Sequence, residues 1–98
     1  MIVSFGDRAT ADLFHDRKTS RVRRYPPDIL RRAVQQLDML NAARELKDLR
    51  SPPGNHLELM KGDYEGFHSI RVNRQWRVIF RWEAAEARDV QLLDYHRG

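Results

Sequence analysis

Trp76-Arg77-Val78-Ile79-Phe80-Arg81-Trp82 is the stretch that decides the fold. Successive side chains of a strand point to opposite faces, so Trp76, Val78, Phe80 and Trp82 share one side and Arg77, Ile79 and Arg81 the other. An extended segment with one aromatic face needs a second layer to cover it. That layer lies earlier in the chain. Pro26 and Pro27 predict a helix start, because the missing N–H of proline has no partner to lose in a first helical turn. From there Ile29, Leu30, Ala33, Val34, Leu37 and Leu40 recur at spacings of three and four, the stripe of an amphipathic helix. Arg31, Arg32, Gln35, Gln36 and Asp38 are assigned to its wet side.

The flanks complete the pattern. Ile2 to Phe5 reads as a short first strand, and Asp7 can cap a brief helix carrying Ala9, Leu13 and Phe14. Asn41 either ends the long helix or caps a further one with Ala43, Leu46 and Leu49. Ser51-Pro52-Pro53-Gly54-Asn55 reads as a stiff linker, after which the period changes to two. Leu57 to Met60 and Phe67 to Asn73 are expected strands around a turn at residues 61–66. Glu83 to Ala87 is a connection, and Val90 to Tyr95 closes the set. The expected fold is α+β: an N-terminal strand, one or two helices, then a largely antiparallel sheet of three to four strands, with helices on one face and the other face free to bind.

Ninety-eight residues suit one domain, so residues 1–98 are read as a single unit. The formal charge of +4 favours a polyanionic partner, nucleic acid being the commonest. Cysteine is absent, which excludes disulfides, thiolate metal sites and cysteine nucleophiles. Met1 to Phe5 is too short for a signal sequence, and no run approaches the ~20 apolar residues of a membrane span. The expected location is cytoplasmic, away from membranes.

Four features offer chemistry. Arg17 to Arg24 is a basic loop in which Arg21, Arg23 and Arg24 can grip RNA phosphates, the plain alternative being a solvated loop. Lys61 stands at a strand end beside a glycine-flanked turn, where an ammonium can approach a phosphate or simply face water. Arg71, Arg74, Arg77 and Arg81 lie on adjacent strands. Arg77 falls on the side opposite the aromatic stripe, and Arg71 and Arg74 have opposite parity, so at most one of them joins it. Asp94-Tyr95-His96 is the best acid/base group, since imidazole passes protons near neutral pH and a carboxylate two residues away in a strand points the same way. His15, His56 and His68 show no metal spacing, so neither metal nor cofactor is expected.

In order along the chain, Ile2 to Phe5, Arg24-Tyr25-Pro26-Pro27, Leu49-Arg50-Ser51-Pro52-Pro53-Gly54-Asn55, Leu57-Glu58, Lys61-Gly62-Asp63, Gly66, Ser69-Ile70-Arg71, Gln75-Trp76-Arg77, Phe80 and Asp94-Tyr95-His96 resemble the HigB branch of the RelE/ParE toxin superfamily. The resemblance implies a type II toxin that enters the ribosomal decoding site and cuts mRNA without a metal, held inactive by a cognate antitoxin of helix-turn-helix, DNA-binding type. It also implies catalytic roles for Lys61, Arg77, Asp94, Tyr95 and His96. Some relatives carry a catalytic histidine where Glu58 stands here, a departure that points to slower cleavage; the general base is unassigned, Glu58 being one candidate and geometry supplied by the ribosome the other. The rival reading is a non-enzymatic inhibitor on the same fold, like the gyrase-poisoning branch. The combination of Lys61, Arg77 and His96 argues against it, because a pure binder does not need all three.

Overall fold

A computed structural model describes residues 1–95. Helix α1 (Arg8–Phe14) and helix α2 (Pro27–Ala42) precede four strands, β1 (Glu58–Leu59), β2 (His68–Arg71), β3 (Trp76–Glu83) and β4 (Glu86–Asp94). The strands form one antiparallel sheet in the order β1-β2-β3-β4. Short 3-10 turns at Val22–Arg24, Leu46–Arg50, Pro53–Asn55 and Gly62–Tyr64 join these elements.

The expected aromatic stripe faces the helices. Val78 and Phe80 are fully buried in one cluster with Ile29, Ala33, Leu37 and Leu40 of α2, and Trp76 packs edge-on against Tyr25. Asp7 caps α1 by accepting from Thr10 N at 2.9 Å, and α2 begins at Pro27. The long helix ends at Ala42, and Glu45, not Asn41, caps the next turn, with Asp48 accepting from the Glu45 N–H.

Three expectations need correction. The N-terminal strand is reduced to two parallel bridges, Ile2 with Ala87 and Phe5 with Val90. Its partner β4 bulges: the register slips between Ile79 and Arg81, and Asp89 takes a φ of 52°, with its N–H donating to Ser4 Oγ at 2.8 Å. An extra residue in one strand interrupts continuous pairing on both sides. The connection before β4 shrinks to Ala84-Ala85, whose φ values of 50° and 62° match the twist of a two-residue hairpin turn.

Gln36 is the third correction. Assigned to water, it is only 1% exposed, and its Nε2 donates to Arg71 O at 2.6 Å and Asn55 Oδ1 at 3.4 Å. Position 36 falls between Ala33 and Leu40 on the buried stripe, so periodicity alone brings it inward. Asn55 is buried as well, donating to Leu49 O at 3.1 Å and Ser51 O at 3.3 Å, and the linker is thereby packed onto the helix layer.

The basic loop is pinned by Asp12, which accepts from Thr19 Oγ1 and Arg21 Nε, each at 2.9 Å, with Arg17 Nη1 at 3.5 Å. The Thr19 hydroxyl, and after it the Arg21 guanidinium, hold the Asp12 carboxyl below its ordinary value. A carboxyl depressed by folding stabilises the fold above its unfolded pKa, and that contribution is lost as pH falls through the lower folded value. Asp12→Asn is therefore expected to melt below the parent at neutral pH, with the gap narrowing in acid below about pH 4, the usual aspartate range. Melting curves of both proteins between neutral and acid pH check this; a gap that stays constant in acid would show that the Asp12 charge plays no part.

A candidate active site on the open face of the sheet

Residues directly opposite one another on neighbouring strands share a face. The register aligns Glu58, Ser69, Ile79 and Gln91 in one row across the sheet and Arg71, Arg77 and Leu93 in the next. Both rows lie on the side away from the helices. This face is not the bare platform expected from the sequence: Ser69 is fully buried, Ile79 is 1% exposed and Arg77 8%. Longer side chains stand over it. The Tyr95 ring lies 4.7 Å from Arg77 Cζ, and Arg81 Cζ lies 4.3 Å from the Phe67 ring.

Arg77 is the centre of the arrangement. Its Nη1 donates to Ser69 Oγ at 3.2 Å and pairs with Glu58 Oε2 at 3.7 Å. Where the chain leaves β4, Tyr95 N donates to Gln75 O at 2.6 Å, which brings the ring back over the guanidinium. Arg71 sits directly opposite Arg77, its carbonyl tied to Gln36 of α2. Arg74 is exposed in the turn between β2 and β3, so Arg71 is the one of that pair to join the face.

Two like charges directly opposite on a sheet repel. The Nε atoms of Arg71 and Arg77 are both buried and have no hydrogen-bond partner among the described residues. A buried, unsatisfied donor costs about 1–3 kcal/mol, more when charged. An anion set against the pair relieves the repulsion between them, and a phosphate matches the planar guanidinium fork. Arg81 is already engaged, with Asp89 at 3.5 Å and Phe67 beneath it. Gly66 has a φ of 91°, a conformation that other residues rarely adopt, so this turn favours glycine.

The sequence-derived candidates divide clearly. Arg77, Glu58, Tyr95 and Arg71 come together. Lys61 is exposed just past β1, three residues or about 10 Å of extended chain from Glu58, and has no ion-pair partner among the described residues. Asp94 pairs in register with Trp76, which sets it on the opposite face from Arg77 at the strand end. His96 lies outside the described residues. Arg21 is held by Asp12, while Arg23 and Arg24 are exposed in the helix layer across the sheet from Arg77.

Ser69 was missed by the sequence reading, although its parity with Arg71 places it on the same face. Gln36 reaches the Arg71 carbonyl from the helix side; its place on the stripe signalled that it points inward, but nothing in the sequence named its partner. His68 belongs to the other side, stacked 5.8 Å from Phe80, and burial lowers its pKa.

The family model described as "RelE-like toxin of type II toxin-antitoxin system HigB" matches residues 3–96. The chain is 38% identical over 97 residues to Toxin HigB-1 of Vibrio cholerae, covering 99% of each. It is 32% identical over 96 residues to Endoribonuclease HigB of Proteus vulgaris, covering 98% of this chain and 100% of that one. Among solved structures, the YoeB-YefM complex from Staphylococcus aureus superposes with a TM-score of 0.59 at 10% identity, over 99% of each chain, a likeness of fold.

Proposed function

The chain belongs to the HigB-like family of RelE-like toxins of type II toxin-antitoxin systems, and from that premise we propose that it is an mRNA endoribonuclease that works on the ribosome. The observation that carries the reading is Arg77, buried between Ser69, Glu58 and Tyr95 and set opposite a second arginine. The endoribonuclease name of the Proteus vulgaris relative supports it.

The proposed reaction is attack of a ribose 2'-oxygen on the adjacent phosphorus. Glu58, the carboxylate beside Arg77, takes the 2'-hydroxyl proton, the P–O5' bond breaks, and the 5'-oxygen leaves with a proton from His96, the proposed acid; Asp94, paired with Trp76 on the opposite face, is given no part in orienting it. The products are a 2',3'-cyclic phosphate and a 5'-hydroxyl. Arg77, Arg71 and Lys61 stabilise negative charge on the phosphorane. Tyr95 offers its ring to a base, a common element of single-stranded RNA recognition. A cognate antitoxin holds the protein inactive, and its working compartment is the cytoplasm.

The test is to incubate purified protein with mRNA, with and without translating ribosomes, and map new 5' ends. New ends are expected on translated mRNA, with naked RNA nearly intact. Equal cutting of naked RNA would remove the ribosome requirement, and inhibition of translation without new ends would leave the non-enzymatic reading in its place.

A further inference from the structure

A groove of about 720 Å³ runs through the helix layer, between the loop after α1 and the outer side of α2. Its floor is aliphatic: Leu13, Val22, Leu30 and Val34. Leu30 and Val34 are one turn apart on α2 and only half-buried, although they continue the apolar stripe that the rest of the helix hides in the core. The fold therefore leaves the edge of that stripe uncovered. Cations rim the opening: Lys18, Arg23 and Arg31 are exposed around it, with Arg17 drawn toward Asp12, and among the described residues Asp16 is the one carboxylate lining it.

We propose that this groove docks an acidic, amphipathic segment of the cognate antitoxin. The inference rests on the toxin reading above and names the surface and chemistry of that partner. Charge complementarity selects the occupant: apolar side chains fill the floor while carboxylates on either side meet the rim. A second copy of this chain would bring like-charged rims together. RNA would meet aliphatic side chains where stacking calls for aromatic ones, Tyr25 being the single aromatic ring in the lining among the described residues. The sheet separates the groove from Arg77, so the docked segment leaves the Arg77 face uncovered. Arg23 thereby acquires a role different from the RNA contact expected of the basic loop, and the experiment separates the two.

The cognate antitoxin is titrated calorimetrically into the purified toxin at two salt concentrations. Val34→Asp, which puts a charge on the floor, is expected to weaken binding about tenfold or more, since the like-signed partner must then desolvate it. The double variant Arg23→Glu with Arg31→Glu is expected to weaken binding about tenfold or more at low salt and to reduce its salt dependence. Arg44→Glu with Arg50→Glu, an equal change of charge away from the groove, is expected to stay within about twofold of the parent. Arg23 and Arg31 are exposed, so their variant remains informative even if Val34→Asp fails to fold.

Parental affinity in the folded groove variants would overturn the proposal. So would variants that keep antitoxin affinity but lose cutting on ribosomes, which would make the groove an RNA contact, or a toxin dimer in sedimentation that Val34→Asp dissolves. Failure of the nuclease reading would appear separately, as a parent protein that does not cut mRNA on ribosomes.

Discussion

Arg77→Ala is expected to lower mRNA cleavage on ribosomes by a factor of about 100 or more, the scale of losing one preorganised donor to a transition state. The side chain is held from three directions, by Ser69, Glu58 and the Tyr95 ring, so in the proposed reaction it would meet the phosphate without having to reorganise. Stability should move far less, by about 1 kcal/mol, the centre of the range for single substitutions. Truncation loses the packing of the guanidinium under Tyr95 but also ends its opposition to Arg71 and removes an unpartnered buried Nε. Arg77→Lys should recover only part of the activity, because an ammonium lacks the fork that grips two phosphate oxygens. The measurements are 5'-end mapping on ribosomes and thermal unfolding, variant beside parent. A folded Arg77→Ala protein cutting at the parental rate would remove Arg77 from the chemistry.

The converse profile is expected one residue-parity away. Phe80→Ala should lower the free energy of unfolding by about 3–5 kcal/mol, the range for deleting a buried phenyl ring. Phe80 is 0% exposed, stacks on His68 at 5.8 Å and meets Trp82 edge-on at 6.3 Å, so little around it can collapse into the space. Domains of this size hold together by only about 5–15 kcal/mol in all. Urea titration reads the loss directly, and a drop under about 1.5 kcal/mol, the level of a conservative core change, would mean that the helix-facing side of β3 is not the principal core. Arg77 and Phe80 lie on opposite faces of one strand, so the two variants test the division of β3 into a chemical side and a structural side.

The opposition of those two faces was legible in the residues themselves. Alternation along Trp76 to Trp82 assigns Arg77 and Phe80 to opposite faces whatever the rest of the chain does, because strand geometry is local. The spacing of Ile29, Ala33, Leu37 and Leu40 specifies the helix that covers the aromatic side in the same way. Arg77, Glu58 and Tyr95 were recognisable as candidates, yet their convergence was not. Parity names a face but not a neighbour, and the meeting of Glu58 with Arg77 depends on β1 pairing with β2 and β2 with β3. Gln36 was misassigned because a polar type was weighed above its place on the stripe, and its partner, the Arg71 carbonyl, lies 35 residues away.

The sequence by itself determined the two helices, the C-terminal strands, the helix-on-sheet layering and the family, though not the N-terminal strand, because hydrophobic period, proline positions and turn residues act over a few residues and do not need distant partners. Tertiary structure alone decided three further matters. The register opposed Arg71 to Arg77 and turned Asp94 toward the Trp76 side, since pairing between strands fixes which residues meet. The Tyr95–Gln75 hydrogen bond at the sheet's end carried the aromatic ring back over the guanidinium. The packing of the Asp12-anchored loop against α2 left Leu30 and Val34 in an open, cation-rimmed groove, because the part of a helix stripe that turns away from the sheet can be covered only by a loop that crosses it.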